Sequence, residues 1–199
     1  MPPVVQPRHT RPGASAIYLP PWRIDVVGRP GVVLPAAARA LAKVAARTLD
    51  VAMAPPPASL GLILSDDREL SALNEEHMGE RGPTDVLSFP LLAPSAFPPH
   101  SGQDAAIHER PAPLGPGRSF VLPPRARLHL GDVVVSVERA VSQAGEGRGG
   151  QTGDVRWSAA DELRLLVVHG VLHVCGWDHV RPTEAEAMRQ LERDLLGVR

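Results

Sequence analysis

His169–His179 reads H-G-V-L-H-V-C-G-W-D-H, and the residues before it, Leu163–Val168, are apolar except for Arg164. Ser158 followed by Asp161 resembles a capping arrangement, so a long helix is expected from there to about Val174, with Gly176 as its stop. His169 and His173 are four residues apart on that helix, which puts both imidazoles on one face about one turn from each other. Gly176 lets the chain leave the helix in a left-handed conformation, and a tight turn can then carry His179 back over the same face. Three neutral imidazoles converging on one ion leave a fourth tetrahedral position for water, the pattern of a catalytic zinc site rather than a structural one. The bland alternative is a pair of satisfied core histidines. Against it, both imidazoles interrupt an otherwise apolar helix, where each would be costly to bury if left unpaired, a cost that a metal removes.

The residue after His169 narrows the chemistry. Zinc proteases with the H-E-x-x-H motif place a glutamate there as general base. Here the position is Gly170, which cannot take a proton, so peptide hydrolysis by that route is disfavoured. A metal that polarises an oxyanion and lowers the pKa of its bound water suits phosphodiester hydrolysis instead. Cys175 differs from His173 by two helical positions and points to another face, so it reads as a buried, inert thiol rather than a fourth ligand.

Outward from this stretch, the pattern predicts a layered α+β domain. The Ile24, Val26 alternation suggests a strand starting after Pro20–Pro21. Leu34–Leu49 reads as a helix with Pro35 in its first turn. Leu60–Leu64 reads as a buried strand, followed by a helix capped by Ser65 or Asp66 and running through Asn74. Thr84–Phe89 and Leu130–Ser136 are further strands, and Val137–Ala144 is a short helix. About Pro182–Leu196 is a final amphipathic helix with Ala185, Met188, Leu191 and Leu195 inward, and Glu184, Glu186, Arg189, Glu192 and Arg193 outward. The expected architecture is a single domain with a small mixed sheet of three to four strands, about five flanking helices and a zincin-like metal site on the long helix.

Composition sets the limits. The 199 residues include 21 basic and 22 acidic side chains, giving a net charge of −1. That balance excludes a general cationic nucleic-acid binder and leaves room for a local basic groove. Lys43 is the only lysine, so the other 20 basic residues are arginines. The single cysteine excludes an intrachain disulfide, consistent with a reducing, cytoplasmic setting. No apolar run approaches the roughly 18 residues of a membrane span, and no signal peptide is expected. The 22 prolines are clustered, with four in the first twelve residues and eight between Leu91 and Pro124. A disordered tail over 1–14 and a Pro/Gly-rich insertion at about 91–129 within the domain 15–199 are expected.

Three blocks together carry a resemblance. H-G-V-L-H-V-C-G-W-D-H at His169–His179, Leu73–Asn74 with Gly79 and P-T-D-V-L-S-F-P at Pro83–Pro90, and L-G-D-V-V-V-S at Leu130–Ser136 occur in order. This resembles the YbeY family of bacterial metal-dependent endoribonucleases, also called rRNA maturation factors. The resemblance covers about Ile17 to Leu196, the insertion excepted. It implies one Zn2+ per chain on His169, His173 and His179, which would hold a scissile phosphate oxygen or a zinc-bound water; either that water or the substrate's own 2′-hydroxyl would attack the phosphorus. It further implies cleavage of single-stranded RNA, maturation of the 3′ end of 16S rRNA on the small ribosomal subunit, and ribosome quality control.

The family reading also places Thr84, Asp85 and Ser88 near the substrate; locally, Asp85 could instead cap a turn and Ser88 bond nearby backbone. Many members carry an arginine before the glycine that follows Leu-Asn, where this chain has Met78. Arg81 is the nearest candidate to replace its phosphate contact. Asp178 is a candidate to orient an imidazole, an Asx turn being the alternative. Two other functions remain open at this stage: a metalloprotease-like hydrolase, and a non-catalytic RNA-binding assembly factor with a structural zinc.

Overall fold

The computed structural model describes residues 13–104, 127–145 and 157–197. Most of the expected tail and the 105–126 part of the expected insertion lie outside the described residues. Five strands form one mixed sheet: β1 (Ala14–Leu19), β2 (Trp22–Gly28), β3 (Ala58–Ser65), β4 (Val86–Pro90) and β5 (Leu128–Ser136), in the spatial order β1-β2-β3-β5-β4. β2, β3 and β5 run parallel, while β1 and β4 pair antiparallel at the two edges. Among the described residues, five α-helices accompany them: α1 (Ala38–Val51), α2 (Asp67–Met78), α3 (Val137–Gly145), α4 (Ala159–Val174) and α5 (Pro182–Leu196).

The strand count is one above the upper expectation. β2 starts directly after Pro20–Pro21 as expected, but β1 precedes them and pairs with β2 from Leu19↔Trp22 to Ala14↔Val27, so the two prolines also form a hairpin connection. Proline is tolerated there because the connecting residues need donate nothing to the ladder. α1 begins at Ala38, so Pro35 precedes the helix instead of occupying its first turn. α2 runs past Asn74 to Met78 and ends at Gly79, whose φ of 72° is left-handed. Asp66 is its cap, accepting from Glu69 N, whereas the Ser65 hydroxyl donates to the Glu69 carboxylate.

Strand periodicity puts Ile24 and Val26 of β2, Leu60, Leu62 and Leu64 of β3, and Val133 and Val135 of β5 on one face, all buried. α1 and α4 cover that face. α4 contributes Leu163, Val167, Val168, Val171, Leu172 and Val174, all fully buried. Each such side chain gains about 1.5–3 kcal/mol relative to exposure, which locks the helix in position. On the other face, Leu70 of α2 packs with Leu87 and Val134. Among the described residues, no helix is long and apolar enough to cross a membrane.

α5 corrects a further expectation. Ala185, Met188 and Leu195 are buried as expected, but Glu184 and Glu192 are buried as well, at 4% and 8% exposure, instead of facing solvent. Buried carboxylates require partners, and theirs belong to the site.

Candidate metal centre

The long helix starts as its sequence suggests. Ser158 and Asp161 form a reciprocal capping box at the N-terminus of α4. At the other end, Trp177 N donates to Leu172 O and Gly176 N to His173 O, and Gly176 has a φ of +85°. The chain therefore turns sharply over the face that carries His169 and His173. Asp178 Oδ1 accepts from His179 N at 2.7 Å and fixes the turn. His179 then stands with its ring 5.5 Å from that of His169 and 5.0 Å from that of His173.

One nitrogen from each of the three imidazoles lies within 4.8 Å of the others. The Nε2 atoms of His169 and His173 are 3.0 Å apart. Two nitrogens on one tetrahedral zinc, each at about 2.0–2.1 Å, stand roughly 3.3 Å apart, so the donor set fits such an ion. The protonation states agree. Burial, reinforced by the neighbouring His169 and His179, pushes the His173 imidazole down to about 4, leaving it neutral with a lone pair available near pH 7. The Nδ1 atom of His169 is 2.7 Å from Glu192 Oε1. A carboxylate can only accept, so Nδ1 carries the proton and Nε2 presents its lone pair to the other histidines. Cys175 is buried, and burial pushes its thiol up to about 12, which keeps it out of the donor set.

Gly170 is a packing residue. A Cβ there would lie 2.5 Å from Val133 Cγ1 and 3.0 Å from Val86 Cγ2. The position that bears the general base in zinc proteases is pressed against the sheet, with no room for a side chain. Ser88 Oγ reinforces this contact by donating to Gly170 O at 2.9 Å.

Two adjoining cavities meet at Asp85, His169 and His179. One is walled by α2, β4 and the loop between them, including Asn74, Met78, Thr84 and Ser88. The other lies among α3, α4 and α5, with Gln143, Leu165, Met188, Arg189 and Glu192. The histidines thus sit on the floor of a groove that continues in both directions.

Residues 33–198 match the family model described as Endoribonuclease YbeY. The chain belongs to the YbeY endoribonuclease family. Relatives named Endoribonuclease YbeY include one from Dehalococcoides mccartyi, 33% identical over 172 residues, covering 86% of this chain and 92% of the relative. One from Thermobifida fusca is 36% identical over 174 residues, covering 87% and 92%. One from Roseiflexus sp. is 36% identical over 150 residues, covering 75% of each chain.

Within this YbeY chain the remaining sequence candidates take distinct places. Thr84, Asp85 and Ser88 line the groove. Asp85 also caps Val86 N through Oδ1 and receives Gln143 Nε2 through Oδ2 at 3.2 Å. Asp178 accepts from the N of the next residue, His179, which is not the two-residue reach of an Asx turn, and of the three convergent histidines it is His169 whose nitrogen meets a carboxylate, that of Glu192. Met78 is half exposed at the groove rim. Arg81 is 91% exposed, has Glu75 at 3.8 Å and is not among the groove-lining residues. Glu192 was missed from sequence, although a signal existed. It falls on the Met188–Leu195 stripe, four residues after one and three before the other, where a carboxylate must be buried.

Proposed function

We propose that the protein is a zinc-dependent, single-strand-specific endoribonuclease acting in 16S rRNA 3′-end maturation and ribosome quality control, in the cytoplasm. The observation that carries the reading is the convergence of His169, His173 and His179 in an open groove, in a chain whose family is that of endoribonucleases. Zinc, when bound, supplies Lewis-acid polarisation of a phosphodiester oxygen or of water.

The chain's own residues prepare that chemistry. Glu192 holds the His169 tautomer, and the desolvated environment keeps His173 neutral. The Gly176 turn brings His179 over both. Asp85, tied to Gln143 and to Val86 N, is a fixed acceptor where the two halves of the groove meet, suited to orient a ribose hydroxyl or an incoming water. Thr84 and Ser88 provide hydroxyls along the same wall. Gly170 disfavours the metalloprotease reading on steric as well as chemical grounds.

The test is cleavage of a precursor of small-subunit rRNA by wild type and His169→Ala, with metal analysis of His173→Ala. The expected result is about one equivalent of zinc in the wild type, and loss of both zinc and cleavage in the variants. Equal cleavage by wild type and His169→Ala would overturn the enzymatic reading. Met78 at the groove rim keeps the non-catalytic RNA-binding reading in play. A chelated protein that stays folded but stops cleaving eliminates it.

A further inference from the structure

His169 and His173 are held by a packed helix, but His179 sits on an exposed turn and needs support from elsewhere. That support comes from residues 91–104, which leave β4 and pass beneath the turn. Phe97 anchors this strap, buried in the main core at 3% exposure. Pro94 abuts Gly176 so closely that a Cβ on the glycine would lie 3.0 Å from Pro94 Cα, and Gln103 Nε2 donates to Gly176 O at 3.4 Å. The His100 ring stacks on Trp177 with centroids 3.9 Å apart and planes inclined by 12°. His100 Nε2 donates to Glu184 Oε1 at 2.7 Å, and the same oxygen accepts from Asp178 N at 2.9 Å. Both side chains are buried, with 8% exposure for His100 and 5% for Glu184. Gly102, at a φ of +83°, brings the strap within 2.4 Å, from its would-be Cβ, of Glu184 N.

We propose that His100 is a positioning residue for the metal centre: through its stack on Trp177 and the Glu184 oxygen it shares with Asp178 N, it holds the Gly176–His179 turn so that His179 completes the donor set. The inference rests on the zinc reading above. It assigns a role to the start of a segment that composition alone marks only as an insertion. Without the strap, the turn keeps its own bonds to α4 but loses its ring stack and the shared Glu184 oxygen, which loosens the third imidazole while the His169–His173 pair on α4 is untouched.

Apo wild type, His100→Ala and His100→Gln should be titrated with zinc against a competing chelator and with cobalt followed by its visible absorption, alongside urea unfolding of each apo protein. His100→Ala is expected to bind zinc about 10-fold or more weakly, with a cobalt spectrum altered from the wild-type tetrahedral form. His100→Gln, which keeps a donor for Glu184, should recover part of the affinity and serves as the readout where the alanine variant does not fold. Wild-type zinc affinity and cobalt spectrum in the folded variants, with only a lowered urea midpoint, would make His100 a packing residue and overturn the proposal. Absence of zinc binding by the wild type would overturn the metal reading along with it.

Discussion

Glu192 of α5 and His169 of α4 meet 2.7 Å apart, carboxylate oxygen to Nδ1, across 23 residues of sequence. The bond couples the last helix to the first of the three convergent imidazoles and selects the tautomer that leaves Nε2 free. Glu192→Ala should therefore weaken zinc binding by about 10- to 100-fold. Glu192→Gln, whose amide oxygen can still accept from Nδ1, should lose less. Chelator competition at pH 7 measures both, and equal affinity in all three proteins would remove Glu192 from the site.

Gly170 tolerates no side chain. Gly170→Ala drives a methyl to within 2.5 Å of Val133 Cγ1, and overpacking of this kind costs about 1–3 kcal/mol. Its urea midpoint should fall accordingly. Gly170→Glu should be worse folded and should show no casein hydrolysis. A stable Gly170→Glu with protease activity would contradict the steric argument.

Acid sensitivity should trace partly to the Arg29–Glu69 pair linking the end of β2 to α2. The Arg29 hydrogen bonds hold the Glu69 carboxyl below its usual range, against the opposing effect of burial and with help from Ser65. A carboxyl lowered in the folded state stabilises it above the unfolded pKa, and that contribution is lost as pH falls through the folded value. Because both side chains are part-exposed, Arg29→Ala should cost no more than about 1 kcal/mol at pH 7. The difference from wild type should close as the pH falls below the ordinary carboxylate range and through the lowered folded-state value. A gap that persists or widens in acid would contradict the pairing.

RNA affinity should depend only weakly on salt. Among the described residues lining the groove, Arg189 is the one guanidinium, and it is paired with Glu186 at 3.0 Å. With about −0.7 per phosphate contact on a single strand, a log–log slope no steeper than about −2 is expected. A fluorescence-anisotropy series across salt concentrations reads it directly. A slope of about −5 or steeper would require a basic surface elsewhere.

What could be read from the sequence was what is local. The α4 capping box, the two histidines on one helix face, the Gly176 exit and the bounds of α5 each depend on residues a few positions apart, and each reappears in the structure. What escaped depends on residues far apart. β1 was hidden because its partner is decided by pairing across Pro20–Pro21, and two prolines read more readily as a strand boundary than as a turn. Glu184 and Glu192 looked outward because carboxylates usually are. Their spacing with Met188 and Leu195 pointed inward, and only the position of His100 and His169 explains why burial is tolerable. Arg81 was chosen by proximity along the chain, which says nothing about the direction in which an exposed loop side chain points.

The order of these pieces along the chain has its own consequence. Synthesis runs from the N-terminus, and His169, His173 and His179 are all made before Glu184 and Glu192, the two carboxylates that steady them. His169 is therefore made before the carboxylate that meets its Nδ1, and that one contact forms only when α5 packs against α4. The last described helix therefore closes over the groove from the side, since Glu192 reaches His169 only once α5 is in place.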